Sequence, residues 1–220
     1  MSQKINQNSM RWMIYVVVSL LIITIGLSWG LYSTREPYRF FQETISMLGG
    51  LKTANGFGNF PAYAVFTIGF LLVSVLCLVT SIIYMANLED FEYGILKSIL
   101  LFIIAIGTFG TGIMYDLLTI VHVIGAFLFV TGFGVYNFVA QLLRYARKKE
   151  EPPTSRKWDF YLDAVMVWVL FAITLAYFVL TGLHYFFPVL GVSHEWVALS
   201  QKILLFVIII DVFLLDREDM

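Results

Sequence analysis

The chain has 220 residues, of which 60% are hydrophobic and 13% charged, and its formal net charge is −1. A soluble domain carries roughly 25% charged residues, so this deficit excludes an ordinary soluble globular protein, and the near-neutral balance leaves no basic field to recruit nucleic acid. The one cysteine, Cys77, sits inside an apolar run, which excludes an intrachain disulfide and argues against a cysteine-based metal site.

Long apolar runs set the class. The chain is predicted to be all-α, a single polytopic membrane domain over residues 1–220, with six transmembrane helices and a structured first outer loop. The first span covers about 12–32, with Trp12 and Tyr32 placed at headgroup level. Its apolar run exceeds a signal-peptide core and no small-x-small cleavage pattern follows, so it reads as a retained anchor. Residues 33–60 form the longest loop, with Arg35, Glu36, Arg39, Glu43 and Lys52, and with Gly49, Gly50, Gly56 and Gly58 marking irregular backbone. Its segment YRFFQETISMLGG is amphipathic enough for a short interfacial helix ended by Gly49–Gly50.

The second span opens at Pro61, a favoured first helical position, and runs to 86. An acidic turn with Glu89, Asp90 and Glu92 leads to a third span over 95–114. A tight break at Tyr115–Leu118 precedes the fourth, over 119–143. The charged loop RYARKKEEPPTSRK follows, then a fifth span over 160–187 and a sixth over 195–215, with Ser193 as its expected cap and Glu195 in its first turn. No internal repeat is visible.

Six crossings put both termini on one side. That side holds ten of the basic residues, from Lys4 and Arg11 to Arg217, six of them in the loop after span four; the other has Arg35, Arg39, Lys52 and Lys202. The bias places the termini in the cytoplasm. His122, His184 and His194, the only histidines, then fall toward the outer ends of spans four, five and six, with Asp116, Glu43 and Glu195 on the same side. Asp163 and Asp211 sit near the cytoplasmic ends, where they can meet each other or the basic loop.

Asp116 and His122, about 9 Å apart along a helix axis at 1.5 Å per residue, stand at the mouth of an apolar hairpin. Ionisable groups there are costly to keep and mark a candidate site. Glu43, Asp116, His122 and His184 are the candidate catalytic residues for acid–base attack on a lipid ester or amide. His122, His184 and His194 are weaker candidates for a zinc site, and His122 with His184 for a haem pair. Against these, no HxxxH or HExxH signature occurs, and each imidazole has an ordinary reading as a helix contact or a headgroup-level side chain. No cofactor is therefore expected. Thr108, Gly112, Gly125 and Gly132 are candidate helix-packing positions, since small residues let backbones approach closely; a groove for a lipid chain is the alternative.

The hairpin residues also resemble a known family. Gly107 to Gly112, then Val121-His122 with Gly125-Ala126 behind it and Tyr136 further on, are similar to spans three and four of the damage-regulated autophagy modulator (DRAM) family. That family belongs to a wider six-span group that includes proteins remodelling lipid on GPI anchors. Thr44-Ile45-Ser46 with Gly49 resembles its Ile-Ser-Asp-x-Gly segment, and Glu195-Trp196 resembles its Glu-Trp at the start of span six. The chain departs at Met47, where the family has Asp, and in a glycine- and asparagine-rich stretch where the family is proline-rich. The resemblance implies six helices, cytosolic termini and a link to membrane lipid, with His122, Glu195 and Trp196 as family-pattern residues. It supplies no catalytic mechanism. The expected function is a non-enzymatic membrane protein that binds lipid or a protein partner and influences lipid organisation or signalling; the alternative is a membrane-embedded lipid hydrolase or acyl-transfer enzyme.

Overall fold

The computed structural model describes residues 7–113, 116, 118–150 and 158–215. Six helices are long and apolar enough to cross a membrane: α1 (Gln7–Ser33), α2 (Phe60–Ala86), α3 (Gly94–Gly112), α4 (Thr119–Glu150), α5 (Trp158–Phe186) and α6 (His194–Ile210). Among the described residues there is no strand, only one isolated bridge between Lys52 and Gly58. The protein is an all-α, six-span membrane protein.

Consecutive helices pack side by side, and α4 also touches α6. The core is aromatic. Phe66 stacks on Phe70 at 4.2 Å, Phe70 meets Phe129 edge-on at 5.4 Å, and Phe129 meets Phe133 at 5.6 Å, so one ladder of rings joins α2 to α4. Such ring pairs add roughly 0.5–1.5 kcal/mol each beyond the area they bury. Trp12, Trp158 and Trp168 instead stay exposed on the outside of the bundle, as side chains facing lipid or its headgroups do.

Several boundaries differ from the sequence reading. Helix α4 continues to Glu150, so the first half of the expected charged loop is helical. At 32 residues it is about 48 Å long, well beyond a ~30 Å hydrocarbon core. Its last turn holds Arg147, Lys148 and Lys149, which complement the helix dipole. Lys148 Nζ lies 2.7 Å and Arg144 Nε 3.3 Å from the buried Asp163 carboxylate, and Arg147 reaches Glu92 at 3.7 Å. Asp163 thus meets the basic segment and not Asp211, whose carboxylate accepts from Gln141 Nε2 at 2.5 Å. Helix α6 ends at Ile210 and widens into a π turn, Asp211–Leu215. Ser193 occupies the N-cap position of α6, but its side chain makes no capping bond. Tyr115, one end of the expected 115–118 break, lies outside the described residues, as do 151–157.

The long loop between α1 and α2 is held by polar side chains. The expected interfacial helix over 38–50 is only a short 3₁₀ turn, Ile45–Gly49. Arg39 and Glu43 close one turn before it, through an N–H to O=C bond of 2.9 Å and an Nε–Oε1 contact of 2.8 Å. Thr44 then turns extended, with ψ 156, and breaks any continuation. Asn59 Nδ2 donates to the carbonyls of Leu48 and Gly50, and the Asp116 carboxylate accepts the Leu51 N–H at 2.5 Å. The buried Glu36 accepts from the Asn55 backbone and side chain at 3.0 and 2.7 Å.

Candidate functional site

Two places at the loop end of the bundle combine polar groups with space. The first is a cavity of about 40 Å³ between α4, α5 and α6, roofed by Thr44, Ser46 and Met47. His122, Tyr177, Thr181, His194 and Gln201 supply its polar lining. His122 is 1% exposed, and its Nδ1 lies 2.8 Å from the Ile113 carbonyl. A carbonyl can only accept, so Nδ1 carries the proton and Nε2 of the neutral ring is the acceptor. Gln201 Oε1 accepts the Ile45 N–H at 3.0 Å, which ties the roof to α6.

His184 donates from Nδ1 to the Val192 carbonyl at 2.7 Å, and its ring lies 5.4 Å from that of His194. All three histidines thus lie at one end of the bundle, as their places at the ends of spans four, five and six imply, and the fold brings His122 and His194 to one cavity with His184 beside His194. The carboxylates do not join them. Asp116 is exposed and holds the loop through Leu51; Glu43 is buried against Arg39. Among the described residues no three His, Cys, Asp or Glu side chains are placed to hold a metal ion. Glu195 and Trp196 are exposed and line neither cavity described here.

The packing residues divide. A Cβ on Gly125 would come within 2.5 Å of the Gly110 carbonyl carbon, and one on Gly107 would strike the Phe129 backbone. The α3–α4 contact is therefore made by Gly110 against Gly125 and by Gly107 against the Phe129 backbone. Gly132 packs on Ile104. Gly112 packs on α2 instead, where a Cβ would lie 3.3 Å from Phe70, and the buried Thr108 bonds back to the Ile104 and Ala105 carbonyls.

The second place is an apolar groove of about 290 Å³ between α1 and α6, with Phe133 of α4 as its back wall. Val18, Leu21, Ile22, Ile25 and Gly26 line one side and Leu205, Phe206, Ile208 and Ile209 the other. Tyr15 stacked on Phe213 at 5.5 Å lies below Val18, toward the other end of α1. Trp29, Phe40, Ile45 and Lys202 line the loop end. Lys202 is 7% exposed; its Nζ donates to the Glu43 and Ala198 carbonyls and sits over the Tyr38 and Phe40 rings, 5.5 and 5.0 Å from their centres. Burial, helped by the Glu43 charge, holds the Tyr38 hydroxyl far above its usual pKa. A lysine inside the run QKILLF is itself a sequence signal, one that a count of basic residues passes over. Another large cavity, about 300 Å³ between α4 and α5, has no charged lining residue.

No curated protein matches the chain, and no solved structure does. The family described as "Protein of unknown function (DUF998)" matches residues 13–216, and that description says nothing of DRAM or GPI-remodelling proteins. With nearly its whole length matched, the chain belongs to the DUF998 family.

Proposed function

We propose that this protein is a non-enzymatic lipid-binding membrane protein, and that it holds one lipid chain in the groove between α1 and α6. The observation that carries this reading is the shape of the groove. From Val18 to Trp29 it follows twelve residues of α1, eleven steps of 1.5 Å or about 16 Å. Half of a ~30 Å hydrocarbon core is about 15 Å, so the groove matches the chain region of one leaflet. A link to membrane lipid is also what the resemblance to the DRAM group implies. The basic bias, with Arg144, Arg147 and Lys148 at the far end of the bundle, supports cytoplasmic termini and a groove head in the outer leaflet.

Gly26 supplies the test. A Cβ added there meets nothing within 4 Å, so Gly26→Phe enters the groove without its Cβ displacing backbone. Purified wild-type protein is expected to retain phospholipid through detergent exchange, and G26F to lose it. A control, Leu175→Phe in the α4–α5 groove, leaves retention unchanged. Equal retention by wild type and G26F contradicts the proposal.

One observation favours a second reading, lipid hydrolysis or acyl transfer: His122 and Ser46 line one cavity, as a base and a hydroxyl. Its size argues the other way. At about 40 Å³ it has room for a few waters, each needing roughly 10–15 Å³, and not for a lipid ester. Lipid profiles of cells with wild type, with His122→Ala and without the protein decide. A profile that depends on His122 at equal expression establishes the enzyme; profiles indifferent to H122A exclude it.

A further inference from the structure

We infer that the α1–α6 groove selects an anionic phospholipid, whose phosphate is bound by Lys202 at the loop end. This rests on the lipid-binding reading and names the headgroup.

A lysine has three protons to donate. Two of those on Lys202 go to the Glu43 and Ala198 carbonyls. Among the described residues no carboxylate bonds this ammonium: Glu43, the nearest acid, gives its side chain to Arg39. A cation buried to 93% with only carbonyls and ring faces around it is incompletely compensated, because buried charges are ordinarily paired. With the Glu43 side chain closed on Arg39, no carboxylate among the described residues is in contact with the Lys202 ammonium. A phosphodiester with one net negative charge balances it. The geometry agrees in direction. Side chains on a helix lean toward its N-terminus, so Lys202 reaches up α6 toward Ala198 and the loop, and the apolar lining from Ile25 to Val18 runs away from it toward mid-bilayer. A phosphate on Lys202 therefore directs its acyl chain down the groove. The α4–α5 groove is of the same size, but without a charged residue it offers no such end.

The experiment equilibrates full-length protein in mixed micelles of phosphatidylglycerol and phosphatidylcholine with identical chains, then extracts and quantifies the bound lipid. Wild type is expected to enrich phosphatidylglycerol about tenfold, the size of one charge-assisted contact. Lys202→Met is expected to lose the enrichment whatever total it binds, and Lys202→Arg to retain it. Enrichment that survives in a folded K202M, or equal binding of both lipids by wild type, overturns the inference while leaving lipid binding intact. Loss of all bound lipid from wild type removes the lipid-binding reading itself. A second measurement needs no variant. Phosphatidylglycerol with a photoreactive group beside the phosphate is expected to label residues near 40–45 and 198–202, and one with the group at the chain end to label residues near 18–22 and 208–209. The reverse pattern, or labelling spread evenly over the lipid-facing helices, overturns it.

Discussion

Gly125 shows how one missing side chain decides a helix crossing. Its Cα lies against Gly110, and a valine there would drive its methyl groups into the α3 backbone. Overpacking of this kind costs about 1–3 kcal/mol. Gly125→Val is expected to lower the unfolding free energy in mixed micelles by at least that amount, whereas Gly30→Ala, whose Cβ meets nothing, does not lower it. Glu36 carries a different prediction. A hydrogen bond from the Thr53 side chain, then one from the Asn55 backbone, holds its carboxyl below the ordinary glutamate value of 4.5. A depressed pKa in the fold stabilises above the unfolded value and loses that stabilisation as pH falls through the folded one. Wild type is therefore expected to be more heat-stable than Glu36→Gln at pH 7, with the gap closing as pH drops below about 4.5. A gap independent of pH would show that ionised Glu36 contributes nothing.

At the level of helices, the part of α4 beyond the membrane is fastened by charge. Asp163 on α5 is 1% exposed and lies between Lys148 and Arg144. Removing one partner of a buried ion pair costs about 3–5 kcal/mol. Asp163→Ala is expected to approach that loss, and Asp163→Leu combined with Lys148→Met to recover part of it; a fully stable D163A would deny the pair any role. The same helix shows what was legible beforehand. Its apolar part is bounded well by hydropathy, since every turn from Ile120 to Leu143 faces lipid or core. The helical continuation through RYARKKE was not, because charged residues look alike in a loop and in a solvated helix. The loop 38–50 failed in the opposite sense. Its amphipathic spacing suggests a helix, but the Arg39–Glu43 closure and the extended Thr44 use the backbone differently. Those are local choices between polar partners, and periodicity does not carry them.

For the whole molecule, six crossings follow directly from composition, and so does the gathering of His122, His184 and His194 at one end, since each terminates a known span. Their convergence with Asp116 and Glu43 did not follow. Which carboxylate takes a backbone N–H and which takes an arginine depends on the loop's path, and residues far apart in the chain fix that path. Orientation is testable through the lone cysteine. Cys77 is fully buried, so it gives little background. Ala54→Cys is expected to react with a membrane-impermeant maleimide from outside the cell and a cysteine at Lys149 only after permeabilisation. The opposite pattern inverts the topology and moves the groove head to the cytoplasmic leaflet. The most direct test of lipid binding is an experimental density map of the protein in phospholipid nanodiscs. One ordered acyl chain is expected between α1 and α6, from beside Lys202 and Trp29 to Val18 and Ile208. A groove closed by its own side chains, or density there no stronger than at the α4–α5 groove, would contradict it.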